Sequence, residues 1–303
     1  MTARAEQPPV VVGIDGSDTA LGGARWAAEF AARRSCPLTL LHVTPRLEWH
    51  FTGTEHHRDA GGDGDSLLAA AAAVRSAHPD LVIRTEAVRG AVAPTLTAAA
   101  DSACLLVVGK GAADHRALGG NAVKVAHRAP CPVLVWRAPV AERTGSPLPV
   151  VVGVDDSAAA QRALAEAYDI ARMLRTPLTV AHMWEITAAV GMGDLGGQGN
   201  MDWDLLAVLQ AKQRHRMDEL VASLPVKYPN AHVSTVFQDA TPAKGLTDLS
   251  REAQLVVVGS HGRGRLADTL LGSVSQNLIH HAECPVLVVP EPVSEELSEA
   301  DDL

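Results

Sequence analysis

The sequence predicts an α/β protein of two tandem domains, each a five-stranded parallel sheet with four helices. Three observations predict it. The chain repeats itself: residues 9–17 read PVVVGIDGS and residues 149–157 read PVVVGVDDS, seven of nine positions matching at an offset of 140. Short runs of Val and Leu alternate with helical stretches, the signature of βαβ units. Hydrophobic residues make up 47% of the chain but aromatic ones only 3%, so Val, Leu and Ala must build the cores. Such residues suit parallel strands buried on both faces.

The repeat continues along the chain. Pro37-Leu38-Thr39 returns as Pro177-Leu178-Thr179, and His42 as His182. Val107-Val108-Gly109 returns as Val257-Val258-Gly259 at an offset of 150, and Cys131–Val135 as Cys284–Val288 at an offset of 153. Four blocks in one order mark a duplicated domain. The drift in offset places insertions in the middle of the second copy and near its last glycine-rich loop. Two domains also agree with 303 residues at about 150 per domain. The first domain is expected over 1–140 and the second over 147–292, joined through PVAERTGSPL at 139–148, with an acidic tail at 293–303.

In the first copy, strands are expected near 10–14, 38–43, 81–87, 104–108 and 133–136, and helices over 19–34, 65–77, 92–100 and 120–128. In the second, strands fall near 150–154, 178–183, 232–237, 255–258 and 286–289, and helices over 158–174, 202–222, 242–252 and 273–282. Asp15 and Asp155 end the first strands, and Gly109 and Gly259 end the fourth. Ligands of doubly wound sheets bind beyond the strand ends where the strand order reverses. If the first and fourth strands are neighbours there, these residues share one crevice per copy.

The formal charge of -9 disfavours partners rich in phosphate backbone, nucleic acid and anionic membrane alike. It leaves a single phosphate ligand open, because backbone N–H groups at helix starts bind anions. No leader-like apolar run and no stretch of 18 apolar residues occurs, so a soluble cytoplasmic protein is expected. Cys36, Cys104, Cys131 and Cys284 fit neither a zinc pattern nor a disulfide framework and read as small buried hydrophobes.

The chemistry concentrates in the second copy's loop GSHGRGRLADTLLGSVSQ, spaced Gly259-x2-Gly262-x9-Gly272-Ser273. Glycines let the backbone turn and approach a ligand. Gly272 and Ser273 stand at a helix start, where free N–H groups and the dipole favour an anion. Arg263 and Arg265 supply charge at the mouth. A plain helix start behind a flexible loop is the alternative reading of the same residues.

This spacing after a Val-rich strand resembles the ATP-binding motif of the universal stress protein family. The V-G-x-D-x-S opening, the L-T-x-x-H of the second strand and the closing C-P-V-L-V resemble that family too, twice over, as in the tandem form common in actinobacteria. The resemblance implies a Rossmann-like, adenine nucleotide alpha hydrolase-like fold with ATP, as its Mg²⁺ complex, between the first and fourth strands. It implies that Asp155, Met183, Gly259, His261, Gly262, Arg263, Gly272, Ser273 and Val274 contact the nucleotide. In the first copy the matching residues are Asp15, Val43, Gly109, Lys110, Gly119 and Gly120. That copy departs from the pattern: its loop GKGAADHRALGGNA is shorter, and Gly120 stands where Ser273 stands. Weaker or no nucleotide binding is expected there.

Other features are plainer. No P-loop, nucleophile elbow or zinc-protease helix occurs. Histidines in EWHFTGTEHHRD at 48–59 read as part of a solvated loop rather than a metal site. The glycine-rich stretch at 187–200 reads either as a flap over the crevice or as a simple connection. His42 and His182 read as anchors rather than acid–base catalysts. Asp15 and Asp155 read as ligand contacts over turn residues. The apolar last strands suit pairing, either between the two copies in a pseudo-dimer or across a homodimer. The function expected is a regulatory, ATP-binding stress protein acting through a protein partner, with slow ATP hydrolysis at most. A nucleotide-free scaffold is the alternative.

Overall fold

The computed structural model describes residues 7–45, 62–110, 120–137, 147–155, 157–185, 203–227, 232–262 and 271–291. They fall into two compact units, the first centred on residues up to 137 and the second on residues 147–262 and 272–287, with Leu271 and the end of the last strand from Val288 grouped with the first.

The first unit runs β1 (Val10–Ile14), α1 (Asp18–Arg34), β2 (Leu38–Thr44), α2 (Gly62–Ala77), β3 (Ile83–Arg89), α3 (Val92–Ala100), β4 (Leu105–Gly109), α4 (Asn121–Arg128) and β5 (Val133–Trp136). Its strand order is β3-β2-β1-β4-β5, with every neighbouring pair parallel. The second unit runs β6 (Val150–Gly153), α5 (Ala158–Leu174), β7 (Leu178–Met183), α6 (Trp203–Lys227), β8 (Val233–Gln238), α7 (Pro242–Leu249), a 3-10 turn (Ser250–Glu252), β9 (Leu255–Gly259), α8 (Ser273–His281) and β10 (Val286–Val289). Its order is β10-β9-β6-β7-β8, with β6 parallel to β7 and β9, and β7 parallel to β8. The order reverses between β1 and β4, and between β6 and β9. Each unit therefore has its switch point where the sequence placed it.

The central strands are buried as their composition requires. Val10, Leu38, Leu40, Leu106 and Leu134 have almost no exposed surface, and neither do Val150, Leu178, Val256 and Leu287. Each such side chain contributes about 1.5–3 kcal/mol through burial. Burial on both faces does not extend to the outer strands. Six of the seven residues of β3 are exposed, and β8 is half open. Both are edge strands carrying polar residues, IRTEAVR and VSTVFQ.

Several boundaries differ from the sequence reading, among them the start of α2, which begins at Gly62 rather than 65. The third strand begins at Ile83 rather than 81, because Leu81 N–H donates to the His78 carbonyl at 3.2 Å and closes a turn first. The helix α6 continues to Lys227. The helix α7 stops at Leu249 and tightens into the 3-10 turn, as helix ends commonly do.

Both copies start and stop their first helix alike. Ser17 and Ser157 accept the N–H of Ala20 and Ala160, each at 3.1 Å. Such an N-cap contributes about 1 kcal/mol. At the other end, Ser35 and Arg175 sit in the left-handed region at φ 56° and 55°. That conformation suits glycine. Arg175→Gly is expected to raise stability by about 0.5–1 kcal/mol in urea denaturation. Among the described residues, no helix is long and apolar enough to cross a membrane.

Candidate functional site

The site of the second unit grows from the end of β6. Asp155 follows that strand and Ser157 caps α5. Asp155 Oδ1 accepts both the Ser157 N–H (3.0 Å) and its hydroxyl (2.5 Å). The aspartate is thus a turn residue through one oxygen, and its carboxylate is held in a set orientation. Asp15 is held alike by Ser17, at 2.9 and 2.6 Å.

The neighbouring strand fixes the next wall. His182 Nδ1 lies 2.9 Å from the Val154 carbonyl, and His42 Nδ1 lies 2.7 Å from the Ile14 carbonyl. A carbonyl only accepts, so Nδ1 is the donor in both contacts. Both histidines anchor the end of the first strand. His182 also stacks on Phe237 at 5.6 Å, and its Nε2 is buried without a hydrogen-bond partner.

The glycines form a cradle because no side chain fits. A Cβ on Gly262 would lie 2.7 Å from Asp155 Oδ2. One on Gly259 would meet the Ala159 Cβ at 2.8 Å, and one on Gly272 would meet the Ser260 carbonyl at 3.0 Å. That carbonyl also accepts the Gly272 N–H (2.8 Å) and the Ser275 hydroxyl (3.2 Å). It thereby ties the start of α8 to the end of β9. The N-cap of α8 is Gly272, which has no side chain to cap the helix. Its first N–H groups therefore keep their capacity for an anion.

These elements enclose a cleft of about 590 Å³. That is within the range of small-molecule sites. Asp155, Met183, Gly259, His261, Gly262, Gly272, Ser273 and Val274 all line it. Arg263 lies outside the described residues. The sequence reading missed Trp184, Glu185, Leu209, Gln213 and Leu246, which line the cleft as well. Leu209 and Gln213 come from α6 and Leu246 from α7, helices whose patterns look like ordinary packing. A smaller hollow of about 120 Å³ adjoins it, sharing Val154, Asp155, His182 and Gln213 and adding Gln161 and Arg216.

The first unit has the same hollow on a smaller scale. Asp15, Val43 and Gly109 line about 220 Å³ with Leu96, Asn121 and Ala122. Lys110 and Gly120 are not among the described lining residues. Lys110 N–H donates to the Trp136 carbonyl at 2.8 Å, and Gly120 caps α4. Gly119, the histidine loop at 48–59 and the glycine-rich stretch at 187–200 lie outside the described residues.

Comparison with known proteins agrees with this architecture. The model of the universal stress protein family matches residues 8–137 and again 148–290. A universal stress protein of Mycobacterium tuberculosis is 34% identical over 301 residues, covering 95% of this chain and 99% of the relative. One from Mycolicibacterium smegmatis is 32% identical over 303 residues, covering 95% and 99%. The crystal structure of a universal stress protein from Archaeoglobus fulgidus superposes with a TM-score of 0.64 at 18% identity, covering 94% of this chain and 97% of that one. It shares the fold. With the family model matched twice and relatives aligned end to end, the chain belongs to the universal stress protein family, in its tandem two-domain form.

Proposed function

We propose that the second unit binds an adenine nucleotide, ATP as its magnesium complex, as a regulatory ligand in the stress response. The observation that supports this most is the cradle itself. Gly262 approaches Asp155 closer than any side chain allows, beside a helix start whose N-cap is Gly272. The residues fit the parts of the ligand. Met183, Trp184, Leu246 and Val258 offer an apolar wall to a base. Asp155 offers carboxylate oxygens to amino or hydroxyl groups. Ser273 and the N–H groups of α8 offer donors to phosphate. Magnesium would neutralise the phosphates among these groups. The first unit offers a smaller hollow and is the weaker site.

Denaturing the purified chain and weighing what it releases tests this. About one adenine nucleotide per chain is expected, or, for protein isolated empty, a gain in stability of about 2.7 kcal/mol at a ligand concentration of about 100 Kd. Asp155→Ala should abolish both. No released nucleotide together with no thermal shift in Mg-ATP would turn the reading to a nucleotide-free scaffold.

A further inference from the structure

The cleft of the second unit holds about 590 Å³ and the hollow of the first about 220 Å³, yet the strands beneath them pair alike. Gly13 of β1 is the register partner of Leu41, and Gly153 of β6 is the partner of Ala181. The neighbouring residues agree as well. Leu38-Thr39 repeats as Leu178-Thr179, and His42 and His182 each anchor the end of the first strand. Leu41 and Ala181 therefore hold one and the same position in the two copies. Both are buried, and each lines the cavity of its own unit.

The glycines beside them show which face is meant. A Cβ on Gly13 would meet Leu96 of α3 at 3.3 Å, and one on Gly153 would meet Leu246 of α7 at 2.6 Å. Leu96 and Leu246 line the same two cavities. Alternate residues of a strand share a face, so Val43 and Met183 stand on this wall too. There the size difference runs the other way, but the second copy absorbs it. Met183 lies against Gly245, where a Cβ would overlap its sulfur. In the first copy Thr95 stands in the place of Gly245. The change from Ala181 to Leu41 has no such compensation: an isobutyl group stands where the second unit has a methyl. In a close-packed interior those atoms exclude any ligand atom from the same space.

We propose that Leu41 is the specificity-determining residue of the first unit. Its side chain fills the space that Ala181 leaves to the base, so that the chain takes one adenine nucleotide rather than two. This inference rests on the reading of the second unit as a nucleotide site. It concerns the base end of the hollow, whereas the shorter glycine loop of the first copy concerns the phosphates.

Titration calorimetry of the full-length chain with Mg-ATP and, separately, with adenosine tests this. Adenosine has no phosphate and reads the base end alone. Wild type is expected to bind about one equivalent of Mg-ATP. Leu41→Ala should open a second adenosine site that wild type lacks. Ala181→Leu should weaken both ligands by roughly tenfold or more, as overfilling a packed wall does. Melting curves check that each variant folds. Should either fail to fold, Leu41→Val and Ala181→Val make the same comparison in a smaller step. Unchanged binding in both variants, beside a wild-type chain that binds Mg-ATP, would overturn the role of this position and leave the nucleotide reading standing. Loss in Ala181→Leu without a new site in Leu41→Ala would also overturn it, and would place the first unit's defect elsewhere. A wild-type chain that binds neither ligand would overturn the nucleotide reading, and this inference with it.

Discussion

Gly262→Ala is expected to weaken Mg-ATP binding by roughly 10- to 100-fold, about 1.4–2.7 kcal/mol. The added Cβ would lie 2.7 Å from Asp155 Oδ2. The carboxylate cannot simply swing aside, because Ser157 holds its other oxygen by two hydrogen bonds. Either the loop moves out or Asp155 is displaced, and both disturb the proposed contact surface. Gly262 does not sit in the sheet, so the unliganded chain should lose little stability, less than about 0.5 kcal/mol. Titration calorimetry on wild type and variant separates the two effects. Equal affinity in both proteins would remove Gly262 and Asp155 from the binding surface.

The largest loss of stability is expected from Leu106→Ala, about 2–5 kcal/mol. Leu106 is fully buried in β4, between β1 and β5. Its removal leaves a cavity that a close-packed parallel sheet cannot collapse around. Val88→Ala is the matched control. It sits on the outer strand β3 with 38% of its surface exposed and should cost less than about 0.5 kcal/mol. Urea denaturation of the two variants measures the difference. Similar losses would mean that the outer strand is as tightly held as the inner one.

Much of this was legible in the sequence. The paired PVVVG runs mark strands buried on both faces, and the glycine spacing marks the cradle. Both rest on short-range rules: a strand without polar residues must be covered, and a backbone that approaches closely must lack Cβ. The residues that escaped notice obey no short-range rule. Trp184, Gln213 and Leu246 reach the cleft because α6 and α7 pack where the crossovers carry them, and on the linear chain they read as core or surface. The openness of β3 and β8 was hidden for a related reason. Parallel strands share one vocabulary, and only the polar residues IRTE and the order of the sheet reveal which strand ends up outermost.

The pairing of the first strand with the fourth has a consequence for synthesis. Val10 pairs with Leu105, and Val150 with Leu255, so the two halves of each cleft are made about a hundred residues apart. A ribosome adding about 5–20 residues per second leaves the first half waiting roughly 5–20 s for the second. During that interval β1 or β6 has one partner strand and an open flank of Val residues. Each domain is therefore exposed to chaperones and to mispairing until its fourth strand emerges. Because the two copies share PVVVG, the first unit's finished sheet must form before the second unit's strand appears, or the wrong copy can take the vacant place.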